Sequence, residues 1–101
     1  MAGEIYTLGA WRVKPGQEEA FISAWKELGD YFLSLPTPPG PGQLIQSLDD
    51  PHQFYSFGPW PSLEAVQAMR GDPRTPRMIG NLSALCDEAK PGGYRLVATA
   101  P

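Results

Sequence analysis

A chain of 101 residues with eleven aromatics, one cysteine and a net charge of −3 is one small domain with aromatic surface to spare for a ligand or a partner. The lone Cys86 excludes an intrachain disulfide, a thiolate-rich zinc site and a paired redox motif, and the dispersed acidic excess offers nothing to a nucleic-acid backbone. Neither a basic-then-apolar leader nor a membrane-length apolar run is visible, so a cytoplasmic protein with no nucleic-acid or membrane partner is expected.

Ile5 to Val13 alternates in the manner of a strand. One face carries Ile5, Thr7, Gly9, Trp11 and Val13; the other carries Tyr6, Leu8, Ala10 and Arg12. Both faces are mostly apolar, which predicts cover on both sides. Lys14-Pro15-Gly16 turns the chain, and a helix is expected from Gln17 to Leu35. Its apolar stripe is Ala20, Phe21, Ala24, Trp25, Leu28 and Phe32, with Glu18 and Glu19 favoured in the first turn by the helix dipole. The proline-rich stretch from Pro36 to Gly42 reads as a stiff loop.

Gln43 to Leu48 and Gln53 to Trp60 read as an antiparallel hairpin across the turn Asp49-Asp50-Pro51-His52. In the second of these strands Phe54, Ser56, Gly58 and Trp60 share one face, Tyr55 and Phe57 the other, and Pro59 predicts an edge or a bulge. Ser62 is the expected N-cap of a short helix through Leu63, Val66 and Met69 that ends at Gly71-Asp72-Pro73. A further helix starts at Asp72-Pro73 or Thr75-Pro76, with Met78, Leu82 and Leu85 on its apolar face. Lys90-Pro91-Gly92-Gly93 is expected to be a loop, and Tyr94 to Thr99 the last strand.

The order β-α-β-β-α-α-β makes a ferredoxin-like α+β layer, a single domain over residues 1–101 with helices on one face of an antiparallel sheet. No helix remains for the face that bears Tyr6, Leu8, Tyr55 and Phe57. A second copy of the sheet would cover it, giving a homodimer.

Lys14-Pro15-Gly16 followed by Phe21, and Asp50-Pro51 leading to Trp60-Pro61-Ser62, resemble in order and spacing the antibiotic biosynthesis monooxygenase family. The resemblance runs from about Ile5 to Val97. It implies a dimeric α+β barrel with a cavity between sheet and helices in each subunit. Activities in the family include cofactor-free oxygenation of aromatic polyketides and quinols, and oxygen-dependent haem degradation. The haem-degrading branch has an Asn in the first strand, where this chain has Gly9, and a His after the Trp, where it has none. The polyketide branch has an Asn shortly before the Trp, where this chain reads Tyr55-Ser56-Phe57.

The resemblance implies an oxygenase of a small aromatic such as a quinol or anthrone, in a dry pocket without metal, flavin or nicotinamide. Trp60 and Trp11 would be its walls, Ser56 and Thr7 its polar anchors and Gly9 its space, with Phe21, Trp25 and Met78 opposite. Trp60 reads equally as core packing. The alternatives are a non-catalytic binding or stress-response barrel and, less favoured, a haem-binding protein. His52 beside Asp49 and Asp50 could serve as a base or a weak metal site, but a solvated turn is the simpler reading. Cys86, near a helix end before two acids, reads as a small buried residue. Arg70, Arg74 and Arg77 could meet an anionic ligand at a cavity mouth or form a salt-bridged surface. Gly9, Gly58 and Gly80 either make room for a cavity or mark a bulge and close helix packing.

Overall fold

In a computed structural model that describes residues 3–101, the first strand is β1 (Ile5–Val13). Gly16 makes the turn after it at a φ of 85°, where a side chain would be strained. Then follow α1 (Glu18–Leu33), β2 (Gln43–Gln46), β3 (Gln53–Trp60), α2 (Leu63–Gly71), α3 (Thr75–Ser83) and β4 (Cys86–Arg95). The strands form one antiparallel sheet in the order β2-β3-β1-β4. No described helix is long and apolar enough to cross a membrane.

The expected element order is present, with differences at the ends. α1 stops at Leu33 rather than Leu35, because Ser34 and Leu35 turn back onto the carbonyls of Tyr31 and Phe32. Ala20, expected in the apolar stripe, is exposed. β2 ends two residues early because the Ser47 hydroxyl accepts the amides of Asp49 and Asp50, which starts the turn before Leu48. Ser62 caps α2 as expected, its hydroxyl accepting the Ala65 amide. Thr75-Pro76 opens α3, and Leu85 lies beyond its end.

The largest correction is β4. Its span includes Lys90-Pro91-Gly92-Gly93, expected to be a loop, and stops at Arg95 rather than Thr99. Proline and glycine are tolerated there because β4 is an edge strand with one neighbour. Pro59 likewise lies beyond the reach of β2, whose pairing with β3 ends at Gln43 and Phe57.

All three helices pack on the sheet face that carries Trp11, Phe54 and Trp60, and the core there is split in two. One cluster holds Trp11, Val13, Phe21, Leu28, Phe54, Leu82 and Cys86. The other gathers Leu35, Ala65, Val66 and Met69 about Trp60. Tyr31 and Phe32 touch both.

Cys86 lies three residues past the end of α3, as the first residue of β4, and is buried as expected. Burial, with a smaller contribution from Asp87, pushes its thiol up to about 11. Native protein at pH 8 should therefore resist iodoacetamide, and protein unfolded in urea should react with it. Fast labelling of the native state, followed by mass spectrometry, would contradict this placement.

Candidate functional site

Strand register concentrates small residues in the middle of the sheet. Gly9 stands between Ser56 and Pro91, and Thr7 between Gly58 and Gly93. These positions lie between the two core clusters, and most of them carry no bulky side chain of their own. A cavity of about 870 Å³ lies above them. That volume falls in the range of about 300–1,000 Å³ usual for small-molecule pockets.

Each end of the floor is bounded by a tryptophan. The Trp11 indole Nε1 donates to Ser56 Oγ at 2.9 Å, and Trp60 Nε1 donates to Thr7 Oγ1 at 2.9 Å. The two pairs are related by a local two-fold through Leu8 and Phe57, which are partners in the ladder. Each indole reaches diagonally to a hydroxyl on the other strand. Both hydroxyls thus accept from an indole and keep their own proton to donate. Trp11 lies so close over Gly9 that a Cβ there would stand 2.6 Å from the indole ring.

Six of the eight expected site residues line the cavity: Thr7, Gly9, Trp11, Trp25, Ser56 and Trp60. Phe21 and Met78 do not. Phe21 is fully buried between Trp11 and Phe54, with ring centroids 5.6 and 5.4 Å away, and Met78 packs against the same cluster. Helical periodicity identifies the inward face but not the depth along the axis, and both residues face solid core.

The rest of the wall comes from Phe32 on α1, the loop from Pro39 to Gly42, Met69 and Arg70 at the end of α2, and Thr75 and Ile79 on α3. Gly58 is covered by that loop, the Gly42 Cα standing 3.1 Å from where a Cβ would be. Gly58 therefore serves close approach, not a bulge. Gly80 is exposed with open space beside it and serves neither cavity nor packing. Arg70, one helical turn after Val66, is exposed and stands at the rim of the cavity.

The three arginines separate in role. Arg74 is held by Asp72, through Nε at 3.1 Å and Nη2 at 2.9 Å, and lies 5.0 Å over the Tyr31 ring. Arg74 in turn holds the Asp72 carboxyl well below the usual carboxylate range. Arg77 is not among the lining residues, and Arg70 is. Buried Thr75 bonds the Met69 carbonyl at 2.7 Å and the Tyr31 hydroxyl at 2.8 Å, tying α1 to the junction of α2 and α3.

His52 lies outside the cavity. Its Nδ1 is 2.9 Å from Glu18 Oε2, so it pins the hairpin turn to the start of α1. Asp50 instead binds Arg12 at 2.7 Å. No group of three or more His, Cys, Asp or Glu side chains that could hold a metal occurs among the described residues.

No known family profile and no curated protein matches the sequence. Solved structures match the fold. SnoaB, a cofactor-independent oxygenase from Streptomyces nogalater, superposes with a TM-score of 0.83 at 19% identity over 99% of both chains. A provisionally assigned antibiotic biosynthesis monooxygenase from Bordetella bronchiseptica gives 0.78 at 15% identity, over 95% of this chain and 99% of its own. One from Nitrosomonas europaea gives 0.76 at 18% identity, over 100% and 95%. The chain thus has the ferredoxin-like α+β fold of the antibiotic biosynthesis monooxygenases.

Proposed function

We propose that this protein is a cofactor-independent monooxygenase acting on a flat aromatic, a quinol or an anthrone, held in the sheet–helix cavity. The observation that carries the reading is the small-residue floor bounded by two indoles, each anchored to a hydroxyl with a proton to give. A planar ring fits between such walls, and Ser56 and Thr7 can donate to its oxygens. For an anthrone, the methylene loses a proton to give a delocalised carbanion. That carbon adds dioxygen and takes up a proton to become a hydroperoxide. Loss of water leaves a carbonyl, so CH₂ and O₂ become C=O and H₂O. The chain's part is orientation and exclusion of water.

Oxygen consumption with a panel of hydroquinones and anthrones tests this. Turnover is expected, and Trp60→Phe, which keeps a wall but removes the donor to Thr7, should lower it about ten- to hundred-fold. A second reading, a binding barrel without turnover, is favoured by one observation. The ionisable residues that line the cavity are Lys26, Asp30 and Arg70, and His, the commonest general base, is not among them. Tight binding of the same aromatics without oxygen uptake would decide for it.

We also propose that two copies pair through the open sheet faces, as Tyr6, Leu8, Tyr55 and Phe57 suggest. A lone buried thiol fits a reducing compartment, in keeping with a cytoplasmic location.

A further inference from the structure

Arg70 sits at the last turn of α2, against the edge strand. Its Nη2 is 2.9 Å from where a Cβ would stand on Gly93. Gly93 pairs with Thr7, whose hydroxyl accepts from Trp60. The guanidinium therefore lies at the rim of the cavity, beside the corner that Trp60 bounds, and a side chain at position 93 would push it aside. Glycine inside a strand is otherwise unfavourable. Among the described residues Arg70 has no hydrogen-bond or ion-pair partner, whereas Arg74 is bound by Asp72 and Arg12 by Asp50. Of the other charged lining residues, Lys26 and Asp30 stand one turn apart on α1, carry opposite formal charges and form no ion pair among the described residues. The charged lining residues thus sum to one formal positive charge in a chain whose net charge is −3, and Arg70 is the one nearest the Trp60 corner.

We propose that Arg70 receives an anionic oxygen, phenolate or carboxylate, on the aromatic molecule that occupies the cavity. This rests on the cavity being the binding site. A planar guanidinium donates two parallel N–H bonds to a carboxylate, or converging ones to a phenolate. An aromatic plane between the tryptophans would place a ring substituent at the Trp60 corner, within reach of Thr7 and Arg70 together. The cavity would then select ionised aromatics over neutral ones of the same shape.

The test compares anthraquinone-2-carboxylate with 2-(hydroxymethyl)anthraquinone, read by quenching of Trp11, Trp25 and Trp60 fluorescence. The native protein should bind the carboxylate about ten-fold more tightly. Arg70→Gln should abolish the preference, the carboxylate losing about ten-fold relative to the neutral compound. Gly93→Ala, which displaces the guanidinium, should weaken the preference, and Arg77→Gln should leave it intact. A second arm uses 2-hydroxyanthraquinone, whose colour reports ionisation. Bound to native protein it should become phenolate at a lower pH than when bound to Arg70→Gln. A preference in the first arm alone identifies a carboxylate ligand, and a shift in the second a phenolate. Equal binding of both compounds with no colour shift overturns the proposal while leaving the cavity reading standing, as does a preference that survives Arg70→Gln. Failure of every compound to bind overturns both.

Discussion

Leu8→Glu is expected to convert a dimer into a monomer or an insoluble chain. Leu8 stands in the middle of the sheet face away from the helices, opposite Phe57 on one side and Gly92 on the other. Around it on the same face are Tyr6, Tyr55, Ile45 and Tyr94, the last three exposed at 41%, 51% and 56%. A symmetric pairing of such faces buries on the order of 1,600 Å². A carboxylate in its centre would lose hydration at a cost of several kcal/mol, and the two-fold counts that cost twice. Sedimentation at micromolar concentration should show a native dimer of the 11.0 kDa chain and a variant that dissociates or precipitates. A native monomer under those conditions would end the proposal of a barrel made from two sheets.

Gly9→Val should destabilise the fold and close the cavity. Strand propensity alone predicts the opposite, since valine is favoured in strands and glycine is not. The local geometry decides. A Cβ at position 9 meets the Trp11 indole at 2.6 Å, and Trp11 is 2% exposed, packed on Phe21 and bonded to Ser56. The ring must swing away, which adds overpacking of about 1–3 kcal/mol to a lost hydrogen bond worth about 1 kcal/mol. For a domain of this size the midpoint of thermal unfolding should fall by roughly 10 °C or more. Ligand binding should fail as the displaced indole fills the floor. A variant with raised stability and normal binding would show that Trp11 does not cover Gly9.

What could be read in the sequence follows from how local each signal is. β1, the hairpin and the capped helix at Ser62 are written by alternation and turn chemistry within a few residues. The floor of the cavity was legible for the same reason, because period two places Thr7, Gly9 and Trp11 on one face, and Ser56, Gly58 and Trp60 on another. β4 was not legible. Pro91-Gly92-Gly93 is loop composition, and only its place at the margin of the sheet makes a strand of it. The cavity's other walls depend on where α2 and the loop from Pro39 to Gly42 come to rest, which no local pattern encodes. Phe21 and Met78 share the inward side of their helices with true wall residues, yet they meet packed side chains rather than space.

The ends of the sheet have a consequence for how these molecules assemble. β2, on one margin, is four residues long and follows Pro41-Gly42. β4, on the other, carries Glu88 and Lys90 paired at 2.8 Å, then Pro91, which has no amide to give. Neither margin offers a long row of free donors and acceptors to a foreign strand. Growth by adding strands side by side is disfavoured at both ends, by brevity at β2 and by Pro91 and the charged pair at β4. What remains is the open sheet face that carries Tyr55 and Tyr94, both exposed. Pairing through that face, as proposed above, would be self-limiting, because the face is used up once two copies meet.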